Sequence, residues 1–156
     1  MLAALSDITN IVEEYCTENG VDMNELLETR LAPDMFTLTQ QFQRATFHAA
    51  RTAAALSETP VPDFSDDQDT FADIRTRIKF TTDFLSTFTP EQFEGSEKKT
   101  LEIKVGPTMR EFLGEDYLYH FAIPQVLFHC TTAYNIMRAA GAELGKRQFL
   151  GSPENR

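Results

Sequence analysis

The sequence predicts an all-α fold: an antiparallel bundle of four long amphipathic helices, with one short β-hairpin inserted before the last of them. Three observations carry that expectation. Apolar residues recur at spacings of three and four over four separate segments, prolines and glycines fall between those segments rather than in tracts, and one short stretch alternates apolar with polar residues. A chain of 156 residues can bury roughly 70% of the surface its unfolded form exposes. One domain over residues 1–150 is therefore expected, followed by a flexible tail over 151–156.

The first helix is expected over Leu2 to Asn19, because Leu5, Ile8, Val12 and Tyr15 form one stripe and Asn19-Gly20 supplies a left-handed stop. The stripe begins abruptly, so a lead-in ahead of Met1 is expected. Asp22 and Glu25 have capping-box spacing and open a short helix that must end near Leu31, since Pro33 keeps Ala32 out of helical geometry. Thr37 and Gln40 repeat that spacing and open a long helix to about Ser57, rich in alanines that let a neighbour approach closely.

Residues 59 to 69, TPVPDFSDDQD, carry two prolines and four acids without a period and read as an acidic surface loop. Phe71, Ile74, Ile78, Thr81, Leu85 and Phe88 then mark a third helix, stopped by Thr89-Pro90, which opens one further short turn through Phe93. Leu101, Ile103 and Val105 alternate with Glu102 and Lys104, the period of a half-exposed strand, and Gly106-Pro107 turns the chain into Thr108 to Phe112. The last helix is expected from near Glu115 to Ala140, closed by Gly141 and kinked at Pro124, whose ring removes a backbone donor.

Composition excludes several classes of function. The net charge of −10, with no local cluster of Lys or Arg, repels phosphate backbones and anionic lipid, so no nucleic-acid and no membrane partner is expected. The longest apolar runs fall far short of the roughly 20 residues that span a bilayer, and the expected location is the cytoplasm. Cys16 and Cys130 lie on apolar stripes without metal-site or disulfide spacing and read as reduced core residues.

Chemistry concentrates on the last helix, where steps of 100° place Leu118, Ala122, Gln125, His129, Thr132 and Ile136 on one face. Three successive core positions there are polar. Burying an amide, an imidazole and a hydroxyl without partners costs on the order of 1 to 3 kcal/mol each, so they either satisfy one another or line a wet cavity. His48, beside Gln41 on the second long helix, gains interest from a meeting with His129 across the bundle. His120 is half a turn out of phase with His129, and Tyr134 is a further hydrogen-bonding candidate. No HxxxH pair is present; the corresponding positions hold Gln125 and His129, a weak donor pair for zinc.

The segment HFAIPQVLFHCTTAYNIMRAAGAELGKRQFLG, from His120 to Gly151, and RLAPDMFTLTQQFQRAT, from Arg30 to Thr46, closely resemble an uncharacterised domain-of-unknown-function family related to the DinB/YfiT-like helical bundles. The TF-to-FL pattern of the third helix and the EFLGEDYL entry to the last extend the match over nearly the whole chain. The resemblance implies a DinB-like four-helix bundle with up-down-down-up order. It also implies kinship with metalloenzymes that hold a divalent ion with one histidine on the second helix and an HxxxH pair on a later one. His48 and His129 fall near two of those ligand positions, and Gln125 replaces the third.

Three readings follow. In the first, no cofactor is required: Gln125, His129, Thr132 and Tyr134, with His48 and His120, orient a small organic ligand, and His129 and His48 supply acid–base chemistry. In the second, His48 and His129 hold a divalent metal in a degenerate site of hydrolase or thiol-transferase type. In the third, the chain is a non-catalytic homodimeric module using an exposed edge of Phe47, Ala50 and Ala54. Whether the protein is an enzyme stays open at this point.

Overall fold

The computed structural model describes residues 1–151. Beyond Gly151, the tail expected over 151–156 lies outside the described residues. The chain is mostly helical, with one small two-stranded antiparallel sheet. Its helices are α1 (Leu2–Asn19), α2 (Met23–Leu27), α3 (Leu38–Ser57), α4 (Phe71–Ser86), α5 (Gly114–Asp116), α6 (Ile123–Ala139) and α7 (Lys146–Leu150); the strands are β1 (Thr100–Val105) and β2 (Thr108–Leu113).

Sequence signals set the best-placed boundaries. Gly20, at φ 67°, ends α1 in the left-handed conformation that a glycine adopts without a Cβ penalty. Thr37 and Gln40 form the reciprocal capping box that opens α3. Thr70 and Asp73 do the same for α4. α2 stops four residues short of the expected Leu31, because Thr29 closes a tight turn onto the Leu26 carbonyl while the Thr39 hydroxyl takes the Leu27 carbonyl. α4 ends at Ser86 rather than at Phe88, where Thr87 N–H folds back onto Phe84.

Pro124 does not break the last helix. The turn before it widens into a π-helical stretch over Tyr117–Ala122, so that Ile123 N–H bonds the carbonyl of Leu118, five residues back. The wider turn places Pro124 in the first turn of α6, where its ring is tolerated.

α3 packs against α6 and α4, and α1 against α4 and α6. Leu5, Ile8, Val12, Phe42, Ile74, Ile136 and Met137 fill the space among them, which is where most of the hydrophobic stabilisation arises. A second, smaller cluster under the hairpin joins Leu56, Leu101, Ile103, Tyr117 and Ala122. In the hairpin, Ile103 pairs with Arg110 and Leu101 with Phe112. Leu101 and Ile103 point inward as their alternation predicts.

The edge of Phe47, Ala50 and Ala54 expected to be exposed is covered, which corrects the surface assigned to a homodimer. Ala50 and Ala54 are fully buried, Phe47 packs edge-on to Phe64 of the acidic loop, and Arg51 beside them donates to the Lys104 carbonyl of β1 at 2.7 Å. Cys16 and Cys130 are both buried and unbridged; burial pushes the Cys130 thiol up to about 12, which keeps it protonated and inert. Among the described residues, no helix is long and apolar enough to cross a membrane.

Candidate functional site

The alanine-rich face of α3 lets α6 approach closely, and at that contact His48 meets His129. Their rings lie nearly parallel, 7° between planes, with centroids 5.6 Å apart. His129 is buried, at 5% exposure, and His48 is half-buried. Three phenylalanines stand around them. Phe128 meets the His129 ring edge-on at 5.3 Å, Phe36 lies 6.1 Å from it, and Phe47 meets His48 edge-on at 5.7 Å. Phe36 and Phe128 remain 46% and 54% exposed, so this side of the pair opens towards solvent.

The group that orients His129 is Gln41 of α3, a residue the sequence placed only as a neighbour of His48. Gln41 Nε2 donates to the Phe36 carbonyl at 3.1 Å, which turns its Oε1 towards His129 Nδ1 at 2.7 Å. An amide oxygen only accepts, so Nδ1 carries the proton and the ring's lone pair is left at Nε2. The readable signal is the seven-residue interval from Gln41 to His48, two turns on one helix face.

Burial lowers both imidazoles to about 4, helped at His48 by the neighbouring His129, Arg51 and Arg44, and at His129 by Arg44. Both rings are therefore neutral at pH 7. Arg44 is the cation that acts on both imidazoles. Its guanidinium lies 5.7 Å from the Phe36 ring centroid and 6.0 Å from that of Phe47, within cation–π reach of each.

The other expected site residues are placed as follows. Gln125 is half-buried on α6, one turn before His129. Thr132 is buried, but its hydroxyl donates to the Phe128 carbonyl of its own helix at 2.8 Å. Tyr134 turns towards α7, where its hydroxyl donates to the Leu144 carbonyl at 3.3 Å and its ring packs on Phe149. His120 is exposed on the π-helical turn, 4.0 Å from Asp116. The imidazole and hydroxyl of α6 thus find their partners separately, His129 on α3 and Thr132 on its own helix, rather than in one another.

A divalent ion at this place would draw on two imidazoles and two amides, and the Gln41 oxygen is already committed to His129 Nδ1. Among the described residues, no group of three or more His, Cys, Asp or Glu side chains is placed to hold a metal. Neutral amide oxygens are poor substitutes for imidazole, thiolate or carboxylate. The donor set does not fit a divalent ion held by the protein alone.

A family model described as "Domain of unknown function (DUF1993)" matches residues 1–150. The crystal structure of a DinB family member protein from Shewanella denitrificans is similar over 97% of this chain and 86% of that one, at 32% identity and a TM-score of 0.91. The curated proteins give no significant match.

Proposed function

The chain belongs to the DUF1993 family, and on that premise we propose that it binds a small organic molecule beside the His48–His129 pair and acts on it by acid–base chemistry without a metal. In this reading residues 1–150 form one DinB-like bundle in up-down-down-up order, and the site lies between its second and last long helices. The observation that carries the proposal is the contact of Gln41 Oε1 with His129 Nδ1, which implies a ring with its Nε2 lone pair free, beside a second imidazole and a solvent-facing rim of Phe36 and Phe128. A neutral imidazole carries one donor and one acceptor nitrogen; Gln41 takes the donor of His129, and the acceptor is left for a ligand.

An imidazole lowered to about 4 keeps its lone pair throughout the physiological range, at the expense of basicity. His129 Nε2 therefore suits accepting a hydrogen bond from a ligand hydroxyl or amine and taking that proton transiently as the ligand reacts. His48 Nδ1 and Nε2 provide one further donor and one further acceptor, and Gln125 can hold a polar substituent one turn away. The phenylalanine rim would contact an apolar or planar portion of the ligand.

A thermal-shift screen of small metabolites against the wild type and His129→Ala tests this. A ligand at 100 times its Kd contributes about 2.7 kcal/mol of stability, which for a domain of this size raises Tm by roughly 5 to 10 °C. At least one compound should stabilise the wild type to this extent and leave the variant unmoved. If no compound separates a folded His129→Ala protein from the wild type, the proposal fails.

A further inference from the structure

Next to the histidine pair, with which it shares Arg44 and Phe47, the acidic loop between α3 and α4 is fastened in an unusual way. Arg77 of α4 is 4% exposed, and its guanidinium is shared among the Thr46 hydroxyl at 2.8 Å, the Gln43 carbonyl at 3.3 Å, the Gln68 side-chain oxygen at 3.1 Å and the Ser65 carbonyl. The same guanidinium meets Asp66 Oδ1 at 3.1 Å, while Asp66 Oδ2 meets Arg44 of α3 at 3.2 Å. One carboxylate thus bridges two arginines from different helices. Asp66 itself is 49% exposed and sits in a stretch without regular structure.

The two arginines and Asp66 line a cavity of about 400 Å³ whose remaining walls are largely apolar: Phe47, Val61, Pro62 and Phe64. This volume lies within the 300 to 1,000 Å³, in round terms about that of small-ligand sites, and far exceeds what one carboxylate needs. Arg44 Nε is also buried with no acceptor among the described residues. A buried guanidinium N–H left unpaired costs stability unless something visits it.

We infer that the Arg44–Arg77 pair is a second ligand site, which takes the carboxylate of a small molecule with an apolar body, and that Asp66 is a built-in occupant that such a ligand displaces. The bridging geometry of Asp66 is the footprint of a carboxylate, with each oxygen on one guanidinium. The phenyl and proline walls receive the body, and Arg44 Nε gains the acceptor it lacks. A single negative charge suits the place better than a phosphate does, because Asp63 lines the same cavity and the whole chain is acidic. Displacing Asp66 does not free the loop, since Ser65 and Gln68 on either side remain bonded to Arg77, and Gln68 is also bonded to Gln43.

Calorimetric titration with benzoate, and separately with inorganic phosphate, tests the inference on the whole chain. Asp66→Asn removes the internal competitor at a half-exposed position and should bind benzoate at least about tenfold more tightly than the wild type does, the scale of losing one charge-assisted contact to each arginine. Arg44→Gln added to Asp66→Asn should abolish that gain. His129→Ala should leave benzoate binding unchanged, which separates this site from the histidine pair. Three results would overturn the inference: an Asp66→Asn protein that binds benzoate no more tightly than the wild type, retention of the gain without Arg44, or loss of benzoate binding in His129→Ala. Phosphate binding as tight as benzoate binding in Asp66→Asn would contradict the assignment of an apolar-bodied carboxylate.

Discussion

Arg77→Met is expected to lower the stability of the protein by about 3 kcal/mol, a loss tied to the breaking of a buried polar network. The side chain is nearly sealed from water and joins α4 to α3 and to three residues of the acidic loop. Methionine matches much of its length but offers no donor, so the Ser65 carbonyl and the Gln68 side chain each lose their bond to α4 and Asp66 loses one of its two cations, while Gln43 still holds Gln68. Three effects limit the loss. Burying a guanidinium is itself costly, and Asp66 can rehydrate because it is half-exposed. Thr46 also keeps its bonds to the Phe42 and Gln43 carbonyls. Urea unfolding reads the total, and limited proteolysis should cut within residues 59 to 69 of the variant faster than in the wild type. A change under about 1 kcal/mol would mean that the Arg77 network merely offsets its own desolvation.

Gly114→Ala is expected to cost a similar amount, about 3 kcal/mol, by overpacking rather than by lost contacts. A Cβ at this position would sit 1.9 Å from the Ser96 carbonyl oxygen and 3.3 Å from the Leu56 side chain. The first of these is backbone, which no rotamer change moves aside. The Gly114 N–H is meanwhile bonded to the Lys99 carbonyl at 2.9 Å, so the residue is held from both sides. Accommodation requires shifting the end of β2, and with it the segment that feeds the π-helical turn and α6. The urea midpoint should fall clearly; a variant within 1 kcal/mol of the wild type, in the sense of ordinary surface substitutions at about ±0.5 kcal/mol, would show that the junction is looser than its geometry implies.

Neither residue announces itself in the sequence. Arg77 falls at helical spacing with Ile74 and Thr81, on the buried side of α4, but a charged residue there reads as flanking the stripe until the loop that covers it is placed. Gly114 has no turn signature and no positive φ; its need for a bare Cα comes from Ser96, eighteen positions earlier in the chain. By contrast, α1 and α3 were legible from end to end, because their limits rest on local chemistry: a left-handed glycine, a threonine cap with its glutamine, and an unbroken period. α7 has five residues and no room for a period, and it stands through the contacts that Tyr134 and Arg138 make with the Leu144 carbonyl just before it. The widened turn ahead of Pro124 is likewise a matter of how the ladder re-registers around a missing donor.

At the histidine pair, the meeting of His48 and His129 follows from two helical periods and short connections, whereas the partner of His129 does not. On the α6 stripe alone, Gln125, His129 and Thr132 either satisfy one another or line a wet cavity. Thr132 instead satisfies itself on its own backbone, as helical threonines readily do, and the amide that reaches His129 comes from the opposite helix. The edge of Phe47, Ala50 and Ala54 is covered, against expectation, for a related reason: a helix wheel shows which face avoids the main core, but not that a loop and a hairpin cover the other one.

The central claim, a neutral imidazole pair in which Gln41 leaves His129 Nε2 open, is tested most directly by nitrogen-15 NMR of the histidine side chains across a pH titration. His129 should show a protonated Nδ1 and an unprotonated Nε2 at pH 7, and both His48 and His129 should take up a proton only as the pH falls towards about 4. A His129 that carries its proton on Nε2, or a pair that titrates near the ordinary histidine value of 6.5, would contradict the account.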